Sequence, residues 1–136
     1  MASEIQRGIS FKKLIKSIKN AFSGFKIAIL EEQTFKIQVF IGIFTIILAF
    51  YFQLSVYLML VLFLIIIIVL SLELLNSQIE RILDFLNPNN DPKIKRIKDL
   101  SASAVLLTSL GSIIIGLLIF FPYILKYFNL KLKIWK

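Results

Sequence analysis

Glu73, Asn76, Ser77, Glu80 and Asp84 close an almost unbroken apolar run, LIIIIVLSLELLNSQIERILDFLNPNND. At about 100° per residue, their spacing places all five side chains on one helical stripe, roughly a third of the circumference wide. Three carboxylates, a carboxamide and a hydroxyl thus face one way where a hydrocarbon-length helix leaves its membrane. Charge at that depth is costly and tends to mark function. Two acids on different helices can hold Mg²⁺, which takes oxygen ligands and commonly arrives with phosphates. A third acid can take a proton from an attacking hydroxyl. Lys98 can offset phosphate charge, as lysines do in other phosphoryl-transfer sites. The lipid phase would supply the hydroxyl, so these parts point to a kinase acting on a lipid alcohol. No glycine-rich phosphate cradle occurs, which excludes P-loop and protein-kinase folds.

The composition narrows the chemistry further. Of 136 residues, 58% are hydrophobic and only 18% charged, well below the charged share of a soluble domain. The length suits one compact unit, residues 1–136. There is no Cys and no His, which excludes disulfides, thiolate chemistry, histidine acid–base work and the usual zinc sites. The net charge of +8 reads as affinity for a membrane surface. No aromatic-interleaved basic platform appears, so a nucleic-acid partner is not expected.

The elements that must carry the stripe follow from charge and hydropathy. Lys36 and Glu73 are separated by 36 uncharged residues. A single helix of that length would run about 54 Å, against a hydrocarbon core of about 30 Å. Gln53-Leu54-Ser55 is the polar spot near the middle, so the segment is expected to fold as a hairpin. Its first span covers 37–52. The second helix covers 56–86 and extends past the membrane through the acidic stripe. Asn87-Pro88-Asn89-Asn90-Asp91-Pro92 stops that helix, and the basic stretch Lys93 to Lys98 leads into a third span over 100–125. Gly111, Gly116 and the run Ser101 to Ala104 supply small residues for close helix packing.

Ahead of the spans, residues 10–30 form a different element. Phe11, Leu14, Ile15, Ile18, Phe22, Phe25 and Ile29 recur at helical steps, with lysines around the other side. This pattern predicts an amphipathic helix lying in the interface plane, with Ser10 as its N-cap. A cleaved signal peptide fits poorly, because no apolar core of signal length follows the early charges. The fold class is therefore all-α integral membrane: three transmembrane helices plus an N-terminal interfacial helix.

Seven Lys/Arg residues lie up to Lys36 and five between Arg81 and Lys98, while the hairpin turn has none. The positive-inside rule then makes the N-terminus and the second loop cytoplasmic. The four lysines after Leu125 run mildly against that orientation. All eight acidic residues fall on the cytoplasmic side, Glu31 and Glu32 level with Glu73 and Glu80.

The run Glu73-Leu74-Leu75-Asn76-Ser77-Gln78-Ile79-Glu80, then Asp84, Lys98-Asp99, a small-residue run and Val105-Leu106-Leu107, resembles the prokaryotic diacylglycerol kinase family. That family includes undecaprenol kinases of Gram-positive bacteria, and the similarity covers roughly Phe11 to Phe121. The resemblance implies a homotrimer in the bacterial cytoplasmic membrane, with composite active sites that use Mg-ATP to phosphorylate a lipid hydroxyl. It assigns Glu73 as general base and Asn76 as the residue that positions that carboxylate and the substrate. Glu32 and Glu80 would hold Mg²⁺ on the ATP phosphates. Lys13, Asp91, Lys98 and Asp99 would contact nucleotide, and Ser77 and Asp84 would support the site. Gln78 stands where the family usually has Ala. The loop from Asn89 to Pro92 lacks the family's common Tyr-His pair. Gln38 occupies a position that is acidic in some members, and the Glu32 to Gln38 run looks more like undecaprenol kinases and cyanobacterial relatives than the enterobacterial type.

Plainer roles exist for the same residues. Glu80 and Asp84 could pair with Arg81 or Arg96 on a solvated face, and Glu32 with Lys36. Asn76 could be a helix-packing hydrogen bonder, Lys13 a headgroup contact, and Lys98-Asp99 a topology signal with a helix cap. A small oligomeric transporter or a scaffold would be the alternative function. A transporter places its acid near the midplane, whereas these acids gather at one interface; a scaffold has no need of five polar residues on one stripe.

Overall fold

The computed structural model of the chain describes residues 11–87 and 91–134. Among these residues every regular element is a helix: α1 Phe11–Glu31, α2 Gln33–Tyr51, α3 Val56–Leu86 and α4 Pro92–Ile134. Three of them, α2, α3 and α4, are long and apolar enough to cross a membrane. Ser10, the expected cap of the first helix, lies outside the described residues.

The chain turns a corner between α1 and α2. Glu32 adopts an extended conformation (φ −96°, ψ 110°), yet its N–H still donates to the Ala28 carbonyl at 3.0 Å and its carbonyl accepts from Lys36 at 3.2 Å. The corner therefore costs little backbone bonding. Phe35, fully buried one turn later, receives Phe25 edge-on at 5.4 Å between ring centroids, a favourable aromatic geometry. α1 packs on α2 through this contact, while Phe11, Leu14, Ile15, Ile18 and Phe22 stay exposed.

The hairpin forms at the polar break. Phe52 donates to Leu48 and Leu54 donates to Ala49, closing the end of α2 around Gln53, which has φ 51°. This is the left-handed residue that commonly terminates helices, here without the glycine that favours it. Leu54 then drops into a small core with Ala49, Leu62 and Ile119, flanked by Phe52, Met59 and Phe120. The Tyr51 hydroxyl donates to that of Tyr127 at 3.3 Å. α2 and α4 thus meet at the hairpin end, with α3 packed against both.

Between α2, α3 and α4 lies a half-open pocket of about 470 Å³ that runs from Gln38 to Phe52 and is otherwise lined mainly by Ile, Leu and Phe. Two of its hydroxyls turn back to their own helices: Thr45 donates to Ile41 and Ser112 to Ser109, both at 2.8 Å. Gly42 allows α2 to approach α3 closely, since a Cβ there would lie 3.0 Å from Ile66 Cγ2.

The first and last membrane helices exceed the expected spans. α2 starts at Gln33, and α4 begins at Pro92, so Lys93 to Lys98 lie within the helix instead of leading into it. Asp91 is the reason for the early start. Its carboxylate accepts from the Lys93 N–H at 2.8 Å and its carbonyl from Lys95 at 3.0 Å, and Pro92 fits the first helical position, which needs no donor. α4 also continues through Pro122 to Ile134, giving a rod of 43 residues, about 64 Å long.

Candidate active site

α3 carries its stripe as the spacing requires, and α2 supplies the wall opposite. Glu73 is only 5% exposed and Ser77 8%, the two buried polar residues of the described chain. Glu73 does not stand alone: Gln38 Nε2, from the start of α2, donates to its Oε2 at 2.9 Å. The carboxylates of Glu80 and Glu32 lie close enough to act on it electrostatically. Asn76 Nδ2 donates to Glu80 Oε1 at 2.9 Å. The side chain that orients Glu73 is therefore Gln38, and Asn76 orients Glu80. Asn76 Oδ1 and Gln38 Oε1 are buried without a hydrogen-bond partner, an uncommon and costly state for such atoms.

Arg81 fixes the corner to this cluster. Its Nη2 donates to Glu31 Oε2 at 2.8 Å and to Glu32 Oε1 at 2.6 Å, and its Nε to the same Glu32 oxygen at 3.1 Å. Glu32 precedes α2 but makes no side-chain cap bond, because its carboxylate is engaged by Arg81. Lower down, Lys98 of α4 pairs with Asp84 of α3, while Asp99 sits 3.9 Å from Lys95 on its own helix.

A single chain thus aligns Glu73, Asn76, Ser77 and Glu80 on α3, ties Glu32 to that helix through Arg81, and joins Lys98 to Asp84. It does not gather every expected residue. Asp91 caps α4, Asp99 is exposed, and Lys13 lies exposed on the first turn of α1. Nineteen helical steps separate Lys13 from Glu32, about 28 Å of axial rise. Three contacts were missed from sequence, Gln38 with Glu73, Arg81 with Glu31 and Glu32, and Lys98 with Asp84, each joining different helices or the corner before α2.

A buried carboxylate beside further acids and unpaired amide oxygens, at the end of an apolar helix, suits hydroxyl activation next to a hard cation. Comparison with known proteins decides the family. The model of the prokaryotic diacylglycerol kinase family matches residues 19–120, three quarters of the chain.

The chain belongs to the prokaryotic diacylglycerol kinase family. A diacylglycerol kinase of Helicobacter pylori (strain J99) is 33% identical over 97 residues, covering 71% of this chain and 76% of the relative. The undecaprenol kinase of Bacillus subtilis is 34% identical over 110 residues, covering 81% and 89%. A diacylglycerol kinase of Synechocystis is 31% identical over 114 residues, covering 83% and 65%. Membership of the diacylglycerol kinase family makes the chain a lipid kinase, and its three apolar helices agree with a membrane-bound one.

Proposed function

We propose that this diacylglycerol kinase family member transfers the γ-phosphoryl group of ATP to the hydroxyl of a membrane lipid, undecaprenol or diacylglycerol, at the cytoplasmic face of a bacterial inner membrane. The observation that carries the proposal is Glu73, buried where α3 leaves its apolar run and held by Gln38. Glu73 takes the proton of the lipid hydroxyl as its oxygen bonds to the γ-phosphorus. The bond from that phosphorus to the bridging oxygen breaks, ADP departs, and the proton leaves Glu73 for water. Gln38 keeps the base aimed, and the apolar surroundings limit competing attack by water.

Glu32 and Glu80 would hold Mg²⁺ together with the nucleotide phosphates. Their oxygens are of the type the ion prefers, and the unpartnered Asn76 Oδ1 adds another beside them. No three acidic side chains among the described residues are grouped to hold a metal unaided, so the nucleotide phosphates would have to supply the remaining ligands. When bound, the ion would neutralise charge developing on the transferred group. Lys98, poised against Asp84, would contact the phosphates, with Asp91, Asp99 and Lys13 around the nucleotide. Lys13 lies far along α1 from its own chain's carboxylates, so its contact with nucleotide would have to be made in a neighbouring subunit of the homotrimer that the family resemblance implies. α1 would lie in the interface, its exposed Phe11, Ile15, Ile18 and Phe22 in the headgroup region.

The test is phosphate transfer in detergent micelles, with Mg-ATP and either undecaprenol or dioleoylglycerol. Undecaprenyl phosphate or phosphatidic acid as main product identifies the acceptor. A folded protein that binds no nucleotide would overturn the proposal.

A further inference from the structure

Arg81 takes no part in the chemistry assigned to the site. It lies at the edge of the α3 stripe, 80° around from Glu73 at 100° per residue, where a solvated partner for Glu80 or Asp84 would be expected. Instead its guanidinium reaches the corner between α1 and α2 and makes three hydrogen bonds to two successive carboxylates. Glu31 and Glu32 carry like charges on adjacent residues, so some cation must hold them near the other acids. Arg suits the task because its planar fork presents donors in fixed directions.

The geometry at Glu32 is specific. Both bonds from Arg81 end on Oε1, and Oε2 receives no hydrogen bond among the described residues. Glu32 is also the less exposed of the two acids, its side chain 27% accessible against 56% for Glu31. A carboxylate pinned through one oxygen with the other left over is oriented for a second partner. Outer-shell groups that orient ligand carboxylates in this way set metal affinity in other proteins.

We propose that Arg81 is a positioning residue for the metal–nucleotide site, holding Glu32 so that its second oxygen faces the cation. This role rests on the metal-binding function proposed for Glu32. The arginine's charge and its fork are separable. If Arg81 acted only through its positive charge, Arg81→Lys would bind the metal–nucleotide complex as wild type does. As a positioning residue, it loosens binding on that substitution although the charge is kept.

The experiment uses the full chain in detergent, with Mn²⁺ as a paramagnetic probe and a non-hydrolysable ATP analogue, followed by loss of the free-ion EPR signal. Arg81→Ala is expected to weaken Mn²⁺–nucleotide binding about ten- to a hundredfold, with the KM for lipid unchanged. Arg81→Lys keeps the charge but loses the fork, and falls between wild type and Arg81→Ala. Glu31→Gln leaves Glu32 pinned and stays within about fivefold of wild type. Helix content and oligomer size serve as fold controls; if Arg81→Ala fails them, Arg81→Lys decides, and wild-type affinity there overturns the role. Unchanged or tighter binding in a folded Arg81→Ala overturns it as well. A wild-type protein that binds no Mn²⁺–nucleotide at all would instead sink the metal-binding function on which the role rests.

Discussion

Glu73, the base proposed here, needs a fixed direction as much as it needs a lone pair. Burial removes the solvent shell that would let Glu73 wander, and the Gln38 amide supplies the direction. Glu73→Gln keeps the shape and the bond to Gln38, since an amide oxygen still accepts. The variant should fold as wild type yet lose turnover by at least about a hundredfold, measured as initial rate of lipid phosphorylation at saturating Mg-ATP. Gln38→Leu removes the aim and leaves the carboxylate. A hydrogen bond to a charged group contributes about 1.5–3 kcal/mol, so kcat should fall roughly ten- to a hundredfold with little change in the KM for nucleotide. Wild-type kcat in Gln38→Leu would mean that Glu73 is oriented by something else. The stripe itself was legible in sequence, because five polar residues at three- and four-residue steps must share a face once the segment is helical. Gln38 and Arg81 were not, since their partners depend on how far α2 and the corner slide along α3, and periodicity within one helix carries no information about that register.

Among the elements, the hairpin and the α2–α3 contact are the places where local chemistry strains against packing. Gln53 pays the penalty of a left-handed conformation, about 1–2 kcal/mol for a residue with a Cβ. Gln53→Gly should therefore raise resistance to SDS-induced unfolding, whereas Gln53→Val should lower it; circular dichroism across an SDS titration reads both. Gly42 is constrained in the opposite sense, its missing side chain being filled by Ile66. Gly42→Ala gains about 1 kcal/mol of helix propensity but crowds Ile66, so adding Ile66→Leu, which removes the crowding Cγ2, should make the double variant more stable than Gly42→Ala alone in the same titration. The break near Gln53 could be anticipated, because 36 uncharged residues exceed what one crossing holds. The early start of α4 could not be anticipated as readily. The run from Asn87 to Pro92 suggests a stop, and only the capping bonds of Asp91 show how soon the next helix resumes.

For the molecule as a whole, one chain buries little. Ala28, Phe35, Ala49, Leu54, Leu62, Val105 and Ile119 are its buried apolar residues among those described, while large apolar side chains on all four helices remain open. Lipid covers part of that surface, and we expect neighbouring subunits to cover the rest. If the chain assembles as the trimer proposed above, loss of the cross-linked trimer should coincide with loss of helix in an SDS titration; a folded monomer surviving dissociation would contradict this. The length of α4 adds a mechanical consequence. A rod of about 64 Å crossing a slab of about 30 Å adjusts to a thinner or thicker bilayer by changing its tilt. Lys98 rides near one end of that rod, clasped to Asp84. Leaning the rod thus changes the leverage on that clasp, and the enzyme becomes a gauge of membrane thickness: its rate in vesicles of graded acyl-chain length should peak at one thickness and decline on either side.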